Sequence, residues 1–390
     1  MSVYPHMRRR TLALMLAAAF LAAIGPRGVA AQPFRTLRIG LFVPLWLDSA
    51  YSEMGEYRYG KGFPRQSIAG LECYQGVTFA LDTLRGNGKA NLDLRVFDIR
   101  SRQGSIALVG RMPVMDSLDL LIGQVSGSDY LRLAELARER RIPFLSASYP
   151  NDGGVRANPS LLIANARLQT HLDILQAHVR STLGPTHNAV WLKRAHPADD
   201  RLAEAFRERE GGTAPAYRSI TVADTFPPPQ LARLLDSTRP NVLIAGSLDE
   251  AFALRLLDNC LAVDKAYHLT VVGMPTWEGM AALRNPRYRS VPIEHTASFH
   301  KPSLPAWADR MEEEYRRRTY SRPSDVAFKA FQSTYHLVSL LLRYDTAWAA
   351  HLADPGIQAM TDLDFQPVSI DPAGSGPDYF ENKRIYLVRR

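Results

Sequence analysis

Residues 118–148 read LDLLIGQVSGSDYLRLAELARERRIPFLSAS, and this stretch decides the fold class. Its two ends, LDLLIGQV and IPFLSAS, are short apolar runs of the kind buried on both faces of a parallel sheet. The intervening DYLRLAELARERR carries helical periodicity, and the whole is a strand, helix, strand unit.

The same alternation extends in both directions. Upstream lie the strand TLRIGLFVPL (36–45), a helix and the strand LDLRVFDI. In that helix Ile68, Leu71, Tyr74, Val77, Leu81 and Leu84 mark one buried face, and Gly86-Asn87-Gly88 ends it. Downstream, after the turn-rich YPNDGGVRANPS, come helix LQTHLDILQAHVRSTLG, strand NAVWLKR, helix DDRLAEAFRERE, strand YRSITV, helix PPQLARLLDS, strand NVLIAGS, helix EAFALRLLDNCLAV and strand HLTVVGM. From Ser303 the pattern turns helical, with PAWADRMEEEYRRR and VAFKAFQSTYHLVSLLLRY, and the tail closes on an edge strand, RIYLV, after GSGPDY. The expected architecture is α/β: two Rossmann-like lobes, each a parallel sheet flanked by helices, with a hinge between them.

Arg8, Arg9 and Arg10 precede the apolar run TLALMLAAAFLAAI, and Val29-Ala30-Ala31 supplies the small residues of a cleavage site. Residues 1–31 thus have the layout of a secretory signal, and the run is too short to span a bilayer. The expectation is an exported, periplasmic protein with no membrane span. The full chain of 390 residues carries a formal charge of +8, but the first 31 hold four arginines and no acid, which leaves +4 on the remainder. That modest surplus argues against a nucleic-acid partner, and Arg316-Arg317-Arg318 follows Glu312-Glu313-Glu314 at helical pairing distance. Cys73 and Cys260 fall in different expected lobes, so both are read as buried free thiols.

In open parallel sheets a ligand sits beyond the carboxyl ends of the strands, where helix N-termini converge. This rule selects Trp46 and Asp48; Ser126, Gly127 and Ser128; and Ser146, Ser148 and Tyr149 in the first half. In the second half it selects Lys193, Arg194 and His196; Ser247, Asp249 and Glu250; and Thr276, Trp277 and Glu278. The segment Ser126-Gly127-Ser128 fits two roles, an anion cradle of backbone N–H groups and ordinary helix capping. The aromatics are equally at home against a ligand or in the core. The acids suit an ammonium group, but helix starts favour acids in any case.

Enzyme motifs fail. Gly123 to Gly127 reads G-x-x-S-G, not the nucleophile elbow G-x-S-x-G, and no histidine is placed to serve Ser126. Gly86-x-Gly88 follows a helix, where a dinucleotide loop would follow a strand. His295 and His300 lack the clustered partners of a metal site. No catalytic residue, metal or cofactor is expected.

The order of elements resembles the type I periplasmic-binding fold, typified by branched-chain amino-acid receptors of ABC importers. A nearer resemblance is to ABC-transporter substrate-binding-like proteins of Bacteroidetes-type bacteria, which often carry peptidoglycan-binding LysM repeats. The matching stretches include IGLFVPLWLDS, GLECYQGVTFALDTL, LDLLIGQVSGSD, NVLIAGSLDEAFALRLL and MTDLDFQPV. The resemblance implies three crossovers, giving a first lobe of 36–164 plus 300–346 and a second of 165–299 plus 347–390. The leading expectation is a small polar, amino-acid-like ligand in the cleft, with an acid of the second lobe holding the amine, and uptake through an ABC-type permease or sensing. The chain departs from the pattern in lacking a LysM segment and in the aromatic loop Asp48 to Arg65, with Tyr51, Tyr57, Tyr59 and Phe63. That loop suits a second expectation, an envelope interaction protein that engages cell-wall proteins.

Overall fold

A computed structural model describes residues 36–86, 91–183, 186–209, 216–263, 266–301, 306–370 and 376–390. The expected signal segment 1–31 lies outside these residues, as do Asn87-Gly88 and Ser303. Among the described residues, no helix is long and apolar enough to cross a membrane.

The first sheet has seven strands in the order β11-β12-β5-β4-β3-β1-β2. These are β1 (Thr36–Val43), β2 (Asn91–Asp98), β3 (Leu120–Gly123), β4 (Phe144–Ser146), β5 (Leu161–Ile163), β11 (Phe365–Val368) and β12 (Tyr379–Asn382). The second has six, in the order β13-β10-β9-β8-β6-β7. They are β6 (Asn188–Arg194), β7 (Arg218–Val222), β8 (Asn241–Ala245), β9 (Leu269–Gly273), β10 (Ile293–Ala297) and β13 (Tyr386–Arg389). Every pairing is parallel except those of the two edge strands, β11 on β12 and β13 on β10.

Both faces of the first sheet are covered. Leu37, Ile39 and Leu41 point into one core with Leu120, Ile122 and Leu145, while Phe42, Leu121, Phe144 and Leu161 point into the other. This is the period-two alternation of a strand whose two faces are both apolar. The expected helices are present: α1 (Ile68–Gly86), α2 (Gly127–Arg140), α3 (Leu168–His178), α4 (Pro197–Glu208), α5 (Glu250–Val263), α6 (Trp307–Thr319) and α7 (Asp325–Tyr344). Only PPQLARLLDS falls short, forming a helix over Pro228–Ala232 alone, because two prolines start it and few residues extend it. The second lobe has one continuous core, in which the rings of Trp191 and Phe206 meet at a tilt with centres 4.6 Å apart.

Three crossovers join the lobes: after β5, after β10 and after β12. The tail divides differently from expectation. Trp348, Leu352, Ile357, Leu363, Phe365 and Phe380 share a core with Leu37 and Leu41, so the described residues of 347–370 and 376–382 pack on the first lobe. Only β13 reaches the second lobe, as the antiparallel edge that RIYLV suggested. The physical reason is the exposed flank of β5, which β12 covers in parallel register. The strands β5, β11 and β12, each three or four residues long, escaped sequence reading.

Candidate functional site

The carboxyl ends of both sheets border one cavity of about 340 Å³. From the first lobe it is lined by Gln124 after β3, Ala147 and Ser148 after β4, Asn165 after β5, and Asp325, Val326 and Lys329 on the first turns of α7. The second lobe contributes Pro275, Thr276, Glu278 and Gly279, all after β9. The second lobe's wall is a 3-10 turn, Pro275–Gly279, started by Pro275 and held by the burial of Trp277. The α7 wall is fixed by Ser324, whose hydroxyl accepts from Val326 N–H at 3.1 Å and donates to Glu72 at 2.5 Å.

Charges cross the cavity. Lys329 Nζ lies 2.9 Å from Glu278 Oε1, which ties α7 of the first lobe to the β9 loop of the second. The other oxygen of Glu278 accepts from Ser298 N–H at 3.2 Å and from its hydroxyl at 3.3 Å. Ser298 belongs to the second crossover and also bonds Asn165 of the first, whose amide donates to the Ser148 carbonyl at 3.0 Å. His171 at the start of α3 places Nδ1 3.0 Å from the Thr296 hydroxyl, and burial pushes its pKa down to about 4.

Of the residues selected from sequence, Ser148, Thr276 and Glu278 line this cavity. The others are placed elsewhere. Trp277 is buried in the second-lobe core, over Gly273. Tyr149 leans on Tyr130 at 4.7 Å between ring centres. Trp46 stands at φ 59°, a strained position for a bulky side chain, because the Asp98 carboxylate draws in the N–H groups of Leu45, Trp46 and Leu47 at 2.9, 3.2 and 2.8 Å. Asp48 accepts from Arg102 N–H at 2.8 Å.

Ser126 is the exposed residue before α2, and Gly127 takes φ 58° to start it. Ser128 faces an outer groove with Arg132 and Arg138, and Ser146 is fully buried. Arg194, Ser247 and Asp249 are brought together, but around Asp199. Arg194 Nε lies 2.9 Å from Asp199 Oδ2, Ser247 donates to Asp199 Oδ1 at 3.0 Å, and Asp249 is 3.3 Å from Arg194. Lys193 pairs with Asp200, His196 caps α4 by accepting from Ala198 N–H at 3.2 Å, and Glu250 is exposed on the first turn of α5. Among the described residues no histidine hydrogen-bonds Ser126, and no group of three metal-ligating side chains occurs.

Gln124, Asn165, Asp325 and Lys329 escaped sequence reading. Gln124 directly follows a strand and was within reach of the strand-end rule. Asn165 follows the unrecognised β5, and the α7 pair sits on a helix that only the second crossover brings to the cleft.

This is the type I periplasmic-binding-protein fold. The chain is similar to a putative branched-chain amino acid ABC transporter protein from Rhodospirillum rubrum, with a TM-score of 0.65, 13% identity, and coverage of 91% of this chain and 97% of that one. It is also similar to an ABC transporter substrate-binding protein from Desulfitobacterium hafniense in complex with Leu (TM-score 0.54, 14% identity, 91% and 98% covered). A third similar structure is a solute-binding protein from Rhodopseudomonas palustris BisB5 in complex with 3,4-dihydroxy benzoic acid (TM-score 0.51, 17% identity, 90% and 92% covered). No protein-family model and no curated protein sequence matches the chain. At these identities the likeness is one of fold.

Proposed function

We propose that this chain is an exported solute-binding protein that closes its two lobes around a small polar, amino-acid-like molecule, for uptake through an ABC-type permease or for sensing. One observation carries the reading: a cavity bordered by the carboxyl strand ends of both sheets, with polar groups contributed from each side. Its volume suits a metabolite of amino-acid size. Two of the similar structures hold small carboxylates, Leu in one and 3,4-dihydroxy benzoic acid in the other. The solved structures that the chain resembles are titled as substrate- or solute-binding proteins, which supports reading it as a binder.

Binding is read by thermal unfolding against the twenty amino acids, aliphatic diamines and benzoates. A bound molecule at a hundred times its Kd stabilises the folded state by about 2.7 kcal/mol. No shift with any of them at millimolar concentration would overturn the reading.

A second reading, an envelope interaction protein, is favoured by the exposed side chains of Tyr51, Met54 and Phe63 in the 48–65 loop. It predicts that deleting residues 52–62 abolishes association with the cell envelope while leaving the unfolding temperature unchanged.

A further inference from the structure

The first sheet ends on β2, an eight-residue strand that has β1 on one side and no strand on the other among the described residues. Ile99, just past its end, donates its N–H to the Val43 carbonyl of β1 at 3.1 Å. By the two-residue repeat of a strand, the odd-numbered residues of β2 therefore bond inward, and Leu92, Leu94 and Val96 turn their backbone groups outward. The Leu92 carbonyl accepts from the Arg85 guanidinium at 2.7 Å, which agrees with that phase and leaves the oxygen a second lone pair. The outward groups of Leu94 and Val96 have no partner among the described residues. An open edge of this length is a template for another strand.

The side chains along the edge are matched to themselves. Asp93 and Arg95 share one face, partly exposed and 3.2 Å apart. Leu92, Leu94 and Val96 lie on the other, in register with Leu37, Ile39 and Leu41 of β1, and Val96 is exposed. An antiparallel copy of β2, laid along the edge with Leu94 opposite Leu94, sets Leu92 against Val96 and each Asp93 against Arg95 of the second copy. The outward backbone groups then meet as hydrogen-bonded pairs, and the charged residues fall at the closer, non-bonded positions. Moving the centre one residue either way puts Asp93 against Asp93 or Arg95 against Arg95, and like charges directly opposite each other destabilise a sheet.

We infer that β2 is a self-association edge, through which two copies of this chain join by antiparallel pairing centred on Leu94, so that their seven-stranded sheets become one. The strands of the two copies run in opposite senses. The carboxyl strand ends that border each cleft therefore lie at opposite ends of the joined sheet, and each cleft stays clear of the other. This inference does not depend on which ligand the cleft takes.

Sedimentation equilibrium on the wild type, on Asp93→Arg and on the double exchange Asp93→Arg with Arg95→Asp tests it. The wild type is expected to dimerise. Asp93→Arg should weaken the dimer about tenfold to a hundredfold, because both opposite-charge pairs across the two-fold axis become like-charge pairs. The double exchange should restore it, because the facing charges are again opposite. Each variant should fold as the wild type does by circular dichroism, since an exposed ion pair contributes little to stability. Leu94→Cys should give a disulfide-linked dimer under mild oxidation, as Cα atoms of a hydrogen-bonded antiparallel pair stand about 5.5 Å apart, within disulfide reach. A wild type that stays monomeric at its highest soluble concentration, a dimer as tight in Asp93→Arg as in the wild type, or one that the double exchange fails to restore overturns the inference.

Discussion

Arg167, in the first crossover, donates to the carboxylate of Glu381 twice, from its backbone N–H and from its guanidinium Nε, each at 2.9 Å. Glu381 is the penultimate residue of β12, just before the third crossover, and is fully buried. Thr170 donates to it at 2.6 Å, and Lys383 of the third crossover lies 2.7 Å away. Two of the three strands of chain between the lobes are thus fastened to one carboxylate. This carboxylate therefore ties the first and third crossovers together where they pass between the lobes.

Arg167→Ala is expected to lower stability by about 3 kcal/mol, because it takes the guanidinium from a buried carboxylate that then keeps only Lys383, Thr170 and a backbone N–H. Urea unfolding followed by circular dichroism measures it, and a loss under about 1 kcal/mol would show that Lys383 suffices. Burial alone would raise the pKa of Glu381, but the bonds from Lys383, Thr170 and Arg167 outweigh it and hold the group below the usual range. A depressed carboxyl contributes stability above its unfolded pKa and loses it as pH falls through the folded value. The Arg167→Ala penalty should therefore shrink in acid below about pH 4, where the unfolded carboxyl is protonated.

Two histidines make the fold sensitive to mild acid. His171 and His336 are buried, with ring nitrogens 3.0 Å from Thr296 and 2.8 Å from Thr361, and burial takes both pKa values down to about 4. A histidine lowered in the folded state leaves stability intact above its unfolded pKa and erodes it as pH falls towards the folded value. Between pH 7.5 and pH 5 each should remove on the order of 2 kcal/mol. Equal unfolding midpoints in urea at the two pH values would contradict this.

The approach of α1 to α7 depends on Gly76. A Cβ there would lie 2.2 Å from the Ala327 carbonyl oxygen and 2.9 Å from the Ala330 Cβ. Both neighbours are rigid, so Gly76→Ala is expected to destabilise by about 1–3 kcal/mol through forced separation of the helices. Its larger effect would be on the cleft, because α7 carries Asp325 and Lys329. Thermal unfolding tests the first effect, and calorimetry with a compound that binds the wild type tests the second.

Cys73 and Cys260 are fully buried thiols, in the cores of different lobes. Burial pushes the Cys73 thiol up to about 12. A thiol reagent at pH 8 should leave both unmodified for hours in the native protein and label two per chain in guanidinium chloride. Fast labelling of either in the native state would show that its lobe opens.

Periodicity exposed the long elements most plainly. NAVWLKR and EAFALRLLDNCLAV span enough residues for alternation to repeat, and they match β6 and α5 residue for residue. LLI at 161–163 offers no repeat, and its loss hid both the position of Asn165 and the flank that β12 covers. Ser148 and Glu278 were found because they follow recognisable strands. Arg194, Ser247 and Asp249 follow strands equally well, but a buried partner, Asp199, draws them together, and strand order does not reveal such a partner.

Sequence by itself determined the two wound lobes, since whether a residue faces core or solvent repeats every two or 3.6 positions and needs no distant contact. Tertiary structure decided which lobe takes the tail and which charges cancel. Those are properties of pairs such as Lys329 and Glu278, which stand 51 positions apart and meet only because the second crossover carries the chain back to the first lobe. Electrostatic balance depends on distance in space, and a linear pattern carries none.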